Sequence, residues 1–174
     1  LSINGNVAAL ACDEMLRLAD VLSCPVEVNI FYRTPERMEV ILGHINERKA
    51  VLGLNVPVLG DAPDARIPGL KGPRAACHRE GILESDVILV PLEDGDRCNA
   101  LVAMGKTVIV IDLNPLSRSA QQGSITIVDE LSRALNAMLT MAADEGQVEL
   151  DEAYDHQAVL NEGLAEMLSI MKKP

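Results

Sequence analysis

Glu93-Asp94-Gly95-Asp96-Arg97 places three carboxylates and a guanidinium within five consecutive residues. Carboxylates at that density hold Mg²⁺, orient an amine or a ribose hydroxyl, or cap the helix that follows. A cap needs one acid, so the excess points to a ligand, although a solvated turn would carry the same residues. Asp112-Leu113-Asn114-Pro115-Leu116-Ser117-Arg118 presents Asn114, Ser117 and Arg118 as donors suited to phosphate or carboxylate, with Pro115 fixing the turn. The same string would also cap a short helix. Asn4-Gly5-Asn6 is a looser phosphate cradle, because it has neither the GxGxxG nor the GxxxxGK[ST] spacing, and its glycine could serve only to turn the chain. Residues 65–79 carry Arg66, Lys71, Arg74, His78 and Arg79 with no acid among them. A basic loop in an acidic chain suits a small polyanion, unless the clustering is chance.

Other chemistries lose support. His44, His78 and His156 have no metal-ligand spacing, no GxSxG elbow marks a serine nucleophile, and Cys12, Cys24, Cys77 and Cys98 form no CxxC pair. No nucleophile has an evident base. The remaining chemistry is positioning and charge stabilisation around phosphate.

These loops need elements to position them. β-Branched runs at Leu1–Asn4, Val26–Tyr32, Val51–Val56, Asp86–Pro91, Thr107–Asp112 and Ser124–Asp129 predict strands. Ala8, Ala11, Met15, Leu18 and Leu22, and Leu131, Leu135, Met138 and Ala142, recur at helical spacing. Thr34 followed by Pro35 predicts a capped helix running through Lys49. Continuous apolar strands alternating with amphipathic helices imply an α/β fold: a doubly wound, mostly parallel sheet with helices on both faces. In such sheets ligands bind beyond the carboxyl ends of the strands, where all three polar loops fall. Residues 57–85, rich in proline and glycine, read as a long functional loop. A last helix from about Asp151 carries Ala153, Leu160, Leu164, Met167 and Met171 on one stripe, to pack on the sheet or meet a partner subunit.

Composition narrows the classes. With 174 residues the chain is expected to form a single domain, and 48% apolar content supplies its core. A net charge of -11 and only three aromatic residues argue against nucleic acid as a partner. No apolar run reaches the ~18 residues of a membrane helix, and no basic stretch precedes an apolar one at the start, so neither a membrane nor a signal peptide is expected. Dispersed cysteines suit a reducing, cytoplasmic compartment.

Leu1-Ser2-Ile3-Asn4-Gly5-Asn6-Val7-Ala8-Ala9-Leu10, Val28-Asn29-Ile30-Phe31-Tyr32-Arg33-Thr34, Ile67-Pro68-Gly69-Leu70, Val90-Pro91-Leu92-Glu93-Asp94-Gly95-Asp96-Arg97 and Asp112-Leu113-Asn114-Pro115-Leu116-Ser117-Arg118, taken in order, resemble one family. It is the archaeal phosphopantothenate synthetases, the 4-phosphopantoate beta-alanine ligases. The resemblance runs from Leu1 to about Val128 and is weak after Ala143.

The resemblance implies an ATP-dependent, AMP-forming ligase of coenzyme A biosynthesis. 4-Phosphopantoate is adenylated, diphosphate leaves, and beta-alanine attacks to give 4-phosphopantothenate. It also implies a Rossmann-like nucleotide-binding and ligase domain over residues 1–174, ATP as substrate with Mg²⁺, and a homodimer. Catalytic roles fall to Asp96, Arg97 and Arg33. ATP falls to Asn4, Gly5, Asn6, Glu93, Asp94, Gly95, Asp96, Arg97, Asp112, Leu113 and Asn114. Substrate anions fall to Arg33, Arg74, Asn114, Ser117 and Arg118, and the metal to Asp94 and Asp96. Two departures stand out. The family carries a further N-terminal helical segment with basic residues, whereas this sequence starts inside the first strand. The family commonly has Thr where Cys98 stands, which would weaken a hydroxyl contact. The alternatives are a nucleotide-binding regulatory domain with the same core but impaired catalysis, and an unrelated sugar-nucleotide or NAD enzyme, the latter disfavoured by the missing GxGxxG.

Overall fold

The computed structural model describes residues 1–143 and 153–171. Three short parallel strands, β1 (Ser2–Ile3), β2 (Val26–Val28) and β3 (Val58–Leu59), pair in that order. Three more, β6 (Val87–Pro91), β7 (Thr107–Ile111) and β8 (Ile125–Ile127), form a second parallel sheet, and β1 lies beside β6. Between β3 and β6, β4 (Ala65–Arg66) and β5 (Ala76–Cys77) make an antiparallel pair. Helices α1 (Gly5–Leu10), α2 (Cys12–Val21), α3 (Pro35–Leu52), α4 (Gly95–Ala103), α5 (Arg118–Gln122), α6 (Leu131–Ala143) and α7 (His156–Met171) complete the described chain. This is an α/β protein with parallel sheets and helices on both sides.

The period-2 alternation of β6 and β7 divides their side chains between two cores. Leu89, Ile109 and Ile111 join α1, α2 and α6 on one side, with Met15, Leu16, Leu18 and Leu135 buried there. Ile88, Val90, Val108 and Val110 join α4 and the β4–β5 segment on the other, with Cys98, Leu101, Ile67 and Cys77. At ~25 cal/mol per Å² of apolar surface, each of these branched side chains contributes about 1.5–3 kcal/mol when fully buried.

The α3 helix forms as the Thr34-Pro35 signal predicts. Thr34 Oγ1 accepts from Arg37 N at 3.3 Å, Pro35 opens the first turn, and Gly53 ends the helix at φ 67°. That ending corrects the expected strand at Val51–Val56. Val51 and Leu52 belong to the helix, and the edge strand is displaced to Val58–Leu59. The expected loop at 57–85 also holds structure: β3, β4 and β5, a 3₁₀ turn at Pro73–Ala75 and a π-type turn at Arg79–Leu83. The stripe through Ala11 is interrupted, because Ala11 leaves helical geometry (φ -150°, ψ 39°) between α1 and α2, and Leu22 is left exposed. Asp151, the expected start of the last helix, lies outside the described residues. Within α7, Leu160 is 1% exposed, while Met167 and Met171 face outward.

Candidate active site

The carboxyl ends of β1, β2, β6 and β7 bring Asn4–Asn6, Asn29–Arg33, Leu92–Arg97 and Asp112–Arg118 to one edge of the protein. Asn4 joins two of these strands. Its Oδ1 caps α1 by accepting from Asn6 N and Val7 N, both at 3.0 Å, while Nδ2 donates to the carbonyls of Pro91 and Leu92, also at 3.0 Å. Every polar atom of that side chain is used inside the protein. Leu92 itself sits at φ 51°, a left-handed conformation a leucine seldom adopts, and the Asn4 bond and Leu92 N→Ile111 O at 3.0 Å hold it there.

Beneath the loops lies a buried charge cluster. Glu93 Oε2 accepts from Arg74 Nη2 at 2.6 Å and from Arg97 Nη1 at 2.5 Å, while Oε1 accepts from Asp94 N at 2.8 Å. Arg97 is 0% exposed; its Nη2 donates to Ser2 Oγ at 3.1 Å, and its Nε has no partner among the described residues. Arg74 also donates from Nη1 to Asp94 Oδ2 at 2.9 Å, from Nε to Asn29 Oδ1 and from Nη2 to Asn29 O, both at 3.2 Å. Asn29 Nδ2 returns bonds to Arg74 O and Ala76 O. Burial lowers the Arg74 pKa, opposed by the neighbouring carboxylates of Glu93 and Asp94.

Arg97, expected on phosphate, thus lies inside the protein, because its neighbours Glu93 and Ser2 hold it under β1 and β6. It orients Glu93, with no surface to offer a ligand. Arg74 is the one basic residue of the 65–79 loop that reaches this cluster through its side chain. Arg33 stays outside it, donating to the carbonyls of Val28 and Gly60. Cys98, which stands where the family commonly has Thr, is buried in the second core, and burial pushes its thiol up to about 12.

The α4 and α5 starts pack against each other. Asp94 caps α4 by accepting from Arg97 N at 2.8 Å, and a Cβ on Gly95 would overlap Arg118, so only glycine permits this approach. Asp96 pairs with Arg118 in the open, at 70% and 74% side-chain exposure respectively. Asp112 Oδ2 accepts from Ser117 Oγ at 2.6 Å and Ser119 Oγ at 3.0 Å, and Oδ1 from Asn114 N at 2.9 Å. Asn114 Oδ1 accepts from Leu116 N, and Leu113 and Leu116 are left exposed.

Asp94 and Asp96, the carboxylates expected to hold Mg²⁺, both have protein partners, and Mg²⁺ ordinarily takes only one or two carboxylates beside substrate phosphates. Asp94 is shared between Arg74 and the α4 cap, Asp96 is paired with Arg118, and among the described residues no three His, Cys, Asp or Glu side chains could surround an ion.

A cavity of about 150 Å³ opens between the β1 and β2 ends. Asn4, Gly5 and Asn6 line one side, Phe31, Tyr32 and Arg37 the other, and Arg74 and Leu92 reach it from the cluster. Phe31 and Tyr32 stack edge to face, 5.0 Å between centroids, and are both exposed. Sequence reasoning missed Arg37, Leu92, Asn29 and Ser2. Asn29 among apolar strand residues was a usable signal; Leu92 gave none. A larger, mostly apolar cavity of about 420 Å³ touches Leu1, Pro25 and Val87, at the opposite strand ends and away from these loops.

The family model described as phosphopantothenate/pantothenate synthetase matches residues 1–170. The chain is 44% identical over 178 residues to the 4-phosphopantoate--beta-alanine ligase of Methanosarcina mazei, covering 99% of this chain and 68% of that protein. It is 47% identical over 144 residues to the ligase of the same name from Thermococcus kodakarensis, covering 83% and 54%. For the Thermococcus onnurineus ligase the identity is 44% over 170 residues, covering 94% and 64%. The chain therefore spans between about half and two thirds of the length of these relatives. By the extent of these matches, it belongs to the phosphopantothenate/pantothenate synthetase family.

Proposed function

We propose that the chain is an ATP-dependent ligase that joins 4-phosphopantoate to beta-alanine, forming 4-phosphopantothenate, AMP and diphosphate in coenzyme A biosynthesis. The observation that carries this reading is the 41–47% identity to proteins bearing that ligase name. The convergence of the three polar loops on one edge supports it, since a carboxylate and a nucleotide must meet there.

In the first step a carboxylate oxygen of 4-phosphopantoate attacks the α-phosphorus of ATP, and the bond to the β-phosphate oxygen breaks with loss of diphosphate. In the second, the neutral amine of beta-alanine attacks the acyl carbon. The bond to AMP breaks, and the amine proton leaves to solvent or a base. Asn4, Gly5 and Asn6, Glu93 to Arg97, and Asp112, Leu113 and Asn114 form the nucleotide side. The first-turn amides of α4 that Asp94 leaves uncapped face the phosphates, and Arg97 acts through Glu93. Asp96 exchanges its Arg118 partner for nucleotide. Mg²⁺ would neutralise charge on the ATP phosphates, and Asp94 and Asp96 would be the carboxylates placed to hold it beside them. Arg33, whose guanidinium among the described residues bonds the carbonyls of Val28 and Gly60 and no carboxylate, is left to meet substrate anions. Arg74, Asn114, Ser117 and Arg118 complete that side.

The two parallel sheets are read as one doubly wound sheet in the order β3-β2-β1-β6-β7-β8, a single Rossmann-like domain. The Asn4 bonds to Pro91 and Leu92 support this. A homodimer through the outward apolar face of α7, and a cytoplasmic setting consistent with four free cysteines, complete the reading.

The test is AMP release with each substrate omitted in turn. Release should require ATP, 4-phosphopantoate and beta-alanine together, and Asp96→Ala should cripple it without changing the fold. AMP release independent of 4-phosphopantoate would overturn the reading.

A further inference from the structure

Five arginines gather at the carboxyl ends of the strands, and four have acceptors within the protein. Arg74 and Arg97 share Glu93, Arg118 holds Asp96, and Arg33 holds the carbonyls of Val28 and Gly60. Arg37 is the exception: among the described residues its guanidinium has no hydrogen bond or ion pair, yet it lines the cavity between the β1 and β2 ends. A Cβ on Gly5 would come within 3.2 Å of Arg37 Nη2, so the glycine leaves the space that the guanidinium overlooks.

An uncompensated cation at a concave site attracts an anion. The cavity is open to solvent on one side and offers about 150 Å³, room for a small anionic group such as a phosphate with carbons beside it. Its other walls suit such a ligand, with Ile30, Phe31 and Leu92 apolar and Asn6 polar.

We propose that Arg37 binds the phosphate of 4-phosphopantoate, with the branched carbons of the acid against Ile30, Phe31 and Leu92. The proposal rests on the ligase reading above and adds a specificity-determining residue to it. The orientation follows from the strand order. Arg37 lies on α3, which follows β2, whereas two of the loops assigned to ATP follow β6 and β7 and the third, Asn4–Asn6, follows β1 and forms the wall between the cavity and those loops. An acid gripped at its phosphate by Arg37 directs its carboxylate toward Leu92 and the start of α4, where the α-phosphate must be. Phosphate and carboxylate thus sit at opposite ends, which separates two like charges.

The experiment compares the whole chain with its Arg37→Met variant. Arg37 is exposed and its guanidinium has no partner among the described residues, so the variant should fold and melt as the wild type does. In the AMP-release assay the apparent constant for 4-phosphopantoate should rise roughly ten- to a hundredfold, the usual weight of a hydrogen bond to a charged group. Those for ATP and beta-alanine should stay within about twofold. Pantoate, which lacks the phosphate, should inhibit both proteins equally. An unchanged constant for 4-phosphopantoate, an equal loss on ATP, or pantoate inhibition that also weakens would each overturn the assignment.

A calorimetric titration of 4-phosphopantoate without ATP reads the pocket independently. If the wild type released no AMP, the ligase reading would fall, while binding heat present in the wild type and lost in Arg37→Met would still support the anion site. Equal heats, or none in either protein, would overturn it.

Discussion

Arg97 donates through Nη1 to Glu93 Oε2 at 2.5 Å with neither side chain more than 1% exposed. One carboxylate there answers two guanidiniums, since Arg74 Nη1 lies 2.5 Å from Oε1 and its Nη2 donates to the same Oε2 at 2.6 Å. Removing one member of a buried pair costs far more than removing both, because the survivor stays charged and unsolvated. Glu93→Ala should therefore lower stability by about 3–5 kcal/mol, measured by urea unfolding. A loss below about 1 kcal/mol would mean that water already reaches the cluster.

Asn4 supports two predictions that separate its functions. Asn4→Asp keeps the acceptor that caps α1 but loses both donors to Pro91 and Leu92, and sets a carboxylate against their carbonyls. Asn4→Ala loses cap and donors together. A lost cap alone costs about 1 kcal/mol, so Asp should be nearly as destabilising as Ala if the strand-to-strand bonds dominate. Hydrogen exchange at the β1 and β6 amides is the measurement, and protection in Asn4→Asp close to wild type would refute that ranking.

Cys98 packs among Ile67, Val90, Leu101 and Val108, and burial holds its thiol near 12. A small apolar side chain suits that site and a hydroxyl does not. Cys98→Val should be tolerated within about 1.5 kcal/mol, whereas Cys98→Ser should cost about 1–3 kcal/mol for an unpaired hydroxyl. Thermal melts of both variants decide it. The native thiol should also resist alkylation at neutral pH.

Glu27 supplies a pH dependence. Burial raises its carboxyl pKa, although the amides of His78 and Ile82 donate to it at 3.0 and 2.8 Å. The folded state therefore holds a proton more tightly than the unfolded chain. This contribution to stability is complete below the unfolded carboxyl value and is lost as pH rises through the folded one. Relative to Glu27→Gln, which does not titrate, the wild type should have its largest advantage in acid and lose it toward neutrality. Melting curves that stay parallel across that range would contradict this.

Much of the scaffold was legible because local rules and tertiary packing agreed. Thr34-Pro35 marked a helix start that formed, and the alternating apolar residues of β6 and β7 found a core on each side. The edge strand was misplaced because Val51 favours β structure in isolation, yet the helix continued until Gly53 could adopt a positive φ. The site was legible at the level of loops: Asn4–Asn6, Glu93–Arg97 and Asp112–Arg118 do meet at one edge. Individual roles were not, since charged residues default to the surface and no local pattern shows that Arg97 turns inward. Nor does any spacing announce that Leu92 carries a strained backbone.

The segment joining β3 to β6 is bolted down rather than draped. Asn29 holds the carbonyls of Arg74 and Ala76, Glu27 holds the amides of His78 and Ile82, and Glu93 holds the Arg74 side chain. Peeling this segment away would strip buried ions of their partners, so it is ill suited to serve as a flap. Ligand association should then follow a single bimolecular phase, its rate linear in concentration with no plateau from a slow closing step. The heat-capacity change should correspond to the ligand surface alone, since little of the chain has to be ordered on binding.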